Sequence, residues 1–426
     1  MPTNLVSSPS VRLAPARSPW VVVGLLWGVA LLNYLDRQML ATMRPAMQAD
    51  ITDLASAALF GQLMAIFLWI YGLMSPVAGV VADRLNRRWL IVGSLAVWSG
   101  VTLLMGYATT FEQLYALRAV MGVSEALYIP AGLSLIADVH PSRTRSLAVG
   151  IHMTGLYAGQ ALGGFGATLA GSYSWEATFR GFGAVGLFYA LVLAVFLREA
   201  RPQPALLASA AGGPLPGGSV WQSLQKLLTI RAFWVLMLLY AIPSLPGWAT
   251  KNWLPTLLSG NLGMDMAKAG PLATLTIAAS SLVGVLVGGL LSDRLAQSHR
   301  RGRLFVSAAG LLLTVPALLL LGFGQSLGTM LGAAVCFGIG YGLFDANNMP
   351  ILCQFVPPSR RATAYGLMNM TGVFAGAAIT HWLGRATDAG HLGRDVAALA
   401  GMVLLALLVQ LTVLRPPAVE PTDPHA

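Results

Sequence analysis

The chain has 426 residues, of which 56% are hydrophobic and only 10% charged. A soluble domain carries about 25% charged residues, so this composition excludes an ordinary water-soluble globule. The net charge of +10 does not point to nucleic acid, because the arginines sit in short loops between apolar runs and not on one basic face.

Runs of about 20 apolar residues, each long enough to cross a ~30 Å hydrocarbon core, recur throughout. In chain order the twelve segments cover residues 19–44, 54–82, 89–108, 112–138, 147–171, 178–198, 232–258, 270–292, 303–323, 327–355, 362–386 and 395–415. Helices are the expected spanning elements, since the alternation of a barrel strand is absent. The first run carries Asn33, Asp36 and Arg37. It lacks the short uncharged core and small-residue cleavage site of a secretion signal, so it counts as the first span.

Most Lys and Arg fall on one side of these spans. That side holds Arg12 and Arg17, the loops with Arg84, Arg87, Arg88, Arg143 and Arg145, and the central loop with Arg198, Arg201, Lys226 and Arg231. It also holds Arg294, Arg300, Arg301, Arg303, Arg360, Arg361 and Arg415. The excess marks the cytoplasmic face of an inner (plasma) membrane, with both termini inside. The expected organisation is a first six-helix bundle over 1–198, a cytoplasmic linker over 199–231, a second bundle over 232–415 and a disordered tail over 416–426. Residues 201–219 hold four Pro and four Gly, the composition of a flexible linker. After them Trp221, Leu224, Leu227 and Leu228 share one helical face, as in a short helix lying on the membrane surface. Cys336 and Cys353 fall in one expected helix about 25 Å apart, beyond disulfide reach, and are expected to be buried packing residues.

The two halves repeat. Gly79-Val-Val-Ala-Asp83-Arg84-Leu85 recurs as Gly289-Leu-Leu-Ser-Asp293-Arg294-Leu295, 210 residues later. Pro45 and Pro255 also stand 210 apart, and Pro130 and Pro350 stand 220 apart, each five residues after an acid, Glu125 and Asp345. Pro141-Ser-Arg143 parallels Pro358-Ser-Arg360. Duplicated membrane bundles packed face to face suit alternating access to a central site. The fold expected is an all-α polytopic membrane protein of twelve transmembrane helices in two pseudo-symmetric six-helix bundles.

The duplicated Gly-x-x-x-Asp-Arg phrase, the twelve spans and the basic central loop resemble the major facilitator superfamily. The resemblance covers the chain apart from tails and linker. The family phrase continues Gly-Arg-Arg; here Asn86 takes the Gly place before Arg87 and Arg88, and Asn also tolerates a left-handed turn. The resemblance implies that Gly79, Asp83, Arg84 and Arg88, with Gly289, Asp293 and Arg294, latch the halves in the outward-open state. Arg118-x-x-x-Gly122 resembles the family's helix 4 motif. Gly155-Leu-Tyr-Ala-Gly159-Gln160-Ala-Leu-Gly163-Gly164 resembles the helix 5 motif of drug/proton antiporters, with Gln160 in place of its Pro. Asn33-Tyr-Leu-Asp36-Arg37 and Trp253-Leu-Pro255-Thr256 resemble the anion:cation symporter branch, which carries sugar acids and other organic anions. The first of these, with Ala137-Asp138 and Arg143-Thr-Arg145, also resembles spinster-like lipid transporters.

A charge at the centre of a membrane helix costs at least ~2.5 kcal/mol, so it needs a partner or a task. Asp36 and Arg37 are adjacent and diverge by about 100° around their helix, so one can face a cavity while the other faces a neighbouring helix. Arg37 offers a fork of donors suited to a carboxylate or phosphate, with Asn33 one turn earlier. The resemblance implies substrate contact for Arg37 and titration for Asp36; a structural network bracing helices 1 and 4 is the plain alternative. Glu125 lies about 13 residues into helix 4, ~20 Å deep. Burial there favours a neutral carboxyl, suited to carrying a proton, or else an internal salt bridge to Arg37 or Arg118. Asp345, beside Asn347 and Asn348, reads as a second proton site, a sugar-hydroxyl acceptor or a helix-packing Asp. Tyr157 and Gln160 in helix 5, Trp248 and Asn252 in helix 7, and Asn369 in helix 11 complete the expected cavity. Lys251 reads as a cavity cation or one that snorkels to the outer interface.

No P-loop, Cys/His metal spacing or nucleophile elbow is present, so no enzyme, cofactor or metal is expected. The expected activity is proton-coupled uptake of an organic anion, a sugar acid or small carboxylate. The alternatives are a spinster-like carrier of a lysolipid or amphipathic anion, or a proton-driven exporter. The expected partners are the anionic substrate, protons and the bilayer, and the chain is expected to be a monomer.

Overall fold

In hydrocarbon a peptide group has no water to bond, so a chain this apolar satisfies its backbone within helices. The computed structural model describes residues 18–198, 227–229, 231–357 and 360–417, and every long regular element among them is an α-helix. The first half runs α1 (Pro19–Met47), α2 (Ala57–Arg84), α3 (Arg87–Met105), α4 (Phe111–Ala126), α5 (Tyr128–Val139), α6 (Ser142–Gly163), α7 (Gly166–Ser172) and α8 (Trp175–Phe196). The second runs α9 (Arg231–Leu262), α10 (Met266–Ser298), α11 (Gly302–Phe323), α12 (Leu327–Asp345), α13 (Asn348–Phe355), α14 (Arg361–Asp388) and α15 (Leu392–Val413). With α4–α5, α6–α7 and α12–α13 each forming one span, the order matches the twelve segments expected. Among the described residues, ten spans are long and apolar enough to cross a membrane. The other two, built on α6 and α14, are more polar because they lie on the seam: α6 packs on α1 and α10, and α14 on α2 and α9. The surface helix expected around Trp221 and Leu224 lies outside the described residues, although Leu227 is buried in a cluster with Phe233 and Leu236.

Pro130 and Pro350 break their spans in the same way, whereas the repeated Pro45 and Pro255 lie within continuous helices. A proline ring opposes the carbonyl four residues back and donates no hydrogen bond. Pro130 therefore interrupts the fourth span at Leu127, between α4 and α5, and Pro350 interrupts the tenth at Ala346–Asn347, between α12 and α13. Side chains satisfy carbonyls at each break: Ser94 Oγ donates to Ser124 O, and Asn347 Nδ2 donates to Leu343 O at 2.8 Å. Glu125 and Asp345 end up at the two breaks. A second duplication was not visible in the sequence. Arg88 donates to Ala194 O near the end of α8, and Arg301 donates to Leu411 O near the end of α15. Each arginine meets a helix C-terminus, where a cation is favoured.

The halves are joined at the end away from the arginine-rich loops. Thr168 donates to Ala267 O at 2.8 Å and Thr274 to Ala161 O at 3.0 Å. The second half's Asp388, the last residue of α14, caps the first half's α2. Its Oδ1 accepts from Ala57 N at 2.7 Å, and its Oδ2 from Ala58 N at 2.9 Å and Ser56 Oγ at 2.8 Å. Ser56 in turn accepts from Leu59 N. The first amides of a helix have no partner within it, so α2 borrows a carboxylate from the other half. Glycines allow the close approach: a Cβ on Gly61 would meet Thr380 O and Gly384, and one on Gly384 would meet Ala57 O.

Removing that cap should loosen this end. Losing an N-cap acceptor costs about 1–2 kcal/mol, which is roughly a 5- to 30-fold change in an equilibrium. Spin labels at the exposed Asp53 and Ala389, with Cys336 and Cys353 replaced by serine, should report a longer or broader distance distribution in Asp388→Ala than in the parent.

Candidate functional site

Polar residues leave α1 in three directions, because successive residues turn by about 100°. Asn33 and Arg37, one turn apart, reach Glu125. Arg37 Nε lies 2.6 Å from Glu125 Oε2, and Asn33 Nδ2 donates to the same oxygen at 2.9 Å. Asp36 turns toward α3 and accepts from Thr102 Oγ1 at 3.2 Å. Gln38 crosses the seam, its Nε2 donating to Lys251 O at 2.8 Å. Glu125 and Asn33 are fully buried, and the Arg37 side chain is 11% exposed. Glu125 Oε1 and Arg37 Nη2 have no hydrogen-bond partner among the described residues.

The cation also rests on rings. The Arg37 guanidinium carbon lies 4.7 Å from the ring centroids of Phe67 and Tyr71 and 5.0 Å from that of Tyr34. Arg118 is buried on α4, 4.6 Å from the same Phe67 ring, with a donor 3.2 Å from Met121 Sδ. Phe67 thus contacts two guanidinium groups, each attracted to its π face. Neither Phe67 nor Tyr71 was singled out in the sequence. Their i, i+4 spacing on α2 was a usable signal, but many core pairs share it.

Across the seam, Lys251 does not reach the outer interface. Its Nζ lies 5.2 Å from the Trp248 ring centroid and 6.0 Å from that of Tyr341. Asp345 is exposed, accepts from Asn348 Nδ2 at 3.1 Å, and lies within electrostatic reach of Lys251. Tyr157, half-buried on α6, is in turn within electrostatic reach of Asp345 and Tyr34. The structure therefore brings Asn33, Arg37, Tyr157, Trp248, Asp345 and Asn348 to the middle of the seam.

Two expected cavity residues, Gln160 and Asn252, are engaged in packing. Gln160 is 4% exposed, packed with Gln38, Thr250 and Thr274 in a narrow gap between the halves. Asn252 is engaged with Thr380 Oγ1 at 2.8 Å, bracing α9 on α14. Asn369 is half-buried on α14. Of the gating phrase, Asp293 and Arg294 are exposed, and a Cβ on Gly79 or Gly289 would meet nothing within 4 Å. The side chains of Asp83 and Arg84 lie outside the described set. Cys336 is exposed and Cys353 half-buried, unlike the buried pair expected, because α12 gives its inner face to α10 and α11.

Removing one partner of a buried ion pair strands the other charge, which costs about 3–5 kcal/mol. Glu125→Ala leaves Arg37 and Arg118 facing each other and should unfold at a clearly lower temperature in detergent. Glu125→Gln keeps a polar partner for Asn33 and Arg37 and should lose less. Equal melting temperatures for both variants and the parent would contradict the pairing.

Two repeated six-span bundles, closed on each other at one end with opposite buried charges at mid-depth, define a membrane transporter. The chain belongs to the Major Facilitator Superfamily, whose model matches residues 26–380. It is 30% identical over 379 residues to the human Protein spinster homolog 1, covering 83% of this chain and 69% of that one. It is 27% identical over 319 residues to the galacturonate transporter of Dickeya chrysanthemi, covering 72% of this chain and 90% of that one. In fold it matches the crystal structure of a bacterial homologue of the human lysosomal transporter spinster, in an inward-facing and occupied conformation. That match has a TM-score of 0.79 and 20% identity, covering 96% of this chain and all of that one.

Proposed function

We propose that this protein is a proton-coupled transporter that takes up an organic anion by alternating access, and that its arginine-rich end faces the cytoplasm of a cell with an inner (plasma) membrane. In that orientation the closed end is outward and the conformation described is open inward. The observation that carries the reading is the Arg37–Glu125 pair, with one free guanidinium donor and one free carboxylate oxygen.

That geometry supports a simple exchange. An acid group that displaces part of the ring packing to reach the buried Nη2 of Arg37 competes with Glu125 for the same cation. As its hold on Arg37 weakens, Glu125 becomes an isolated buried carboxylate, the form that burial penalises most, and it takes up a proton. Substrate and proton then occupy the site together, and the net charge there is unchanged by their joint arrival when the substrate is a monoanion. Asp36, held by Thr102 on the far side of α1, serves in this reading as the counter-charge that keeps Arg118 buried.

A second reading, an amphipathic anion such as a lysolipid, draws support from the aromatic wall of Tyr34, Phe67, Tyr71, Trp248 and Tyr341 and from the likeness to a spinster homologue. Substrate-driven proton entry into proteoliposomes separates the two, using sugar acids, small carboxylates and lysolipids as substrates. The expected result is proton entry with a soluble acid. Arg37→Ala should weaken that acid's binding about 30-fold or more, as expected for truncating a buried charge pair. Glu125→Gln should still exchange the acid across the membrane while moving no protons. Response to lysolipid alone would replace the first reading by the second.

A further inference from the structure

The Arg37–Glu125 pair has a counterpart that no sequence motif announces. In the first half the cation stands on the first span and the acid at the proline-induced break of the fourth. In the second half Lys251 stands on α9, the first span, and Asp345 at the break of α12–α13, the fourth. The two pairs differ in one respect. Arg37 and Glu125 are in contact at 2.6 Å, whereas Lys251 and Asp345 sense each other's charge without forming an ion pair among the described residues. Lys251 lies instead beside Trp248 and Tyr341, and Asp345 is exposed with Asn348 on one oxygen. The pairs are also wired together: Gln38, next to Arg37, holds the carbonyl of Lys251.

We propose that Lys251 and Asp345 form the substrate's second binding point, with Lys251 sharing the carboxylate that Arg37 engages and Asp345 taking a hydroxyl donor on the same molecule. The inference rests on the organic-anion reading above and narrows it to a hydroxylated acid. Two opposite charges left apart, one of them exposed to the space between the halves, offer complementary polar contacts to a solute that spans them. A plain carboxylate satisfies Lys251 and leaves Asp345 with Asn348 as its one side-chain donor among the described residues. A hydroxy acid satisfies both, and the Trp248 ring offers an apolar face to its carbon skeleton. Because Gln38 ties the Lys251 backbone to the residue beside Arg37, occupancy on one side of the seam bears directly on the other.

The experiment is equilibrium titration of the purified full chain in nanodiscs with D-galacturonate, with hexanoate as a six-carbon acid lacking hydroxyls, and with lysophosphatidylcholine. Lys251→Met should weaken both soluble acids at least about tenfold, and Lys251→Arg should restore them to within a few-fold. Asp345→Asn should weaken galacturonate about five- to tenfold and leave hexanoate unchanged, because only the hydroxyl contact is lost. Melting temperatures near the parent's establish that each variant is folded, and the Lys251→Arg rescue separates a binding role from a structural one. If galacturonate binds the parent, Lys251→Met and Asp345→Asn with unchanged affinity, the assignment of this pair is overturned while the organic-anion reading stands. If neither soluble acid binds the parent, the organic-anion reading falls and the assignment falls with it.

Discussion

A carboxylate with no exposure meets a guanidinium that is largely buried, and that constraint shapes the rest of the molecule. Glu125 is fully buried and depends on Arg37 and Asn33. Arg37 depends on Glu125 and on three rings, and one of those rings also contacts Arg118. Such a cluster is stable only while every member keeps a partner. The helices that supply it, α1, α2 and α4, are therefore held in a fixed relation, and motion is left to the seam between the halves. A group that enters and offers Arg37 a better partner disturbs the whole cluster at once, which is the kind of sensitivity that couples binding to a change of shape.

The duplicated construction gives each half the same means of placing an acid inside a membrane. A proline four residues beyond a carbonyl ends one helix and starts another, side-chain donors fill the gap, and an acid is left at the joint. One half has closed its acid onto an arginine, while the other keeps its acid and lysine apart. The asymmetry arises from side chains placed on a symmetric backbone, so it can be altered without altering the fold.

Much of this was legible in one sequence. Span number and order follow from apolar runs and loop arginines; the breaks beside Pro130 and Pro350 were not expected, since other prolines lie inside continuous helices. The Arg37–Glu125 contact could be anticipated because two opposite charges buried in adjacent spans have few alternatives. Other features were not visible, for a common reason. The cap of Asp388 on Ala57 joins residues 331 apart in sequence, and the clamps of Arg88 on Ala194 and Arg301 on Leu411 end on backbone carbonyls, which carry no sequence identity. Gln160 and Asn252 have the polarity of cavity residues, yet they are occupied with the seam and with α14. Spacing along a chain reports which face of a helix a residue occupies; what that face meets is decided by tertiary packing.

The glycines of the seam helices divide into two sets. At the closed end Gly61, Gly164, Gly270 and Gly384 are pressed against the opposite half, while near the arginine-rich end of the same helices Gly79, Gly150, Gly289 and Gly366 meet nothing within 4 Å. A glycine within a helix is destabilising by about 0.5–1 kcal/mol relative to alanine, and the second set gains no close packing in return in this conformation. On the alternating-access reading proposed above, these uncontacted glycines are the places where the open end can pack closely in another conformation, at a cost in the stability of this one.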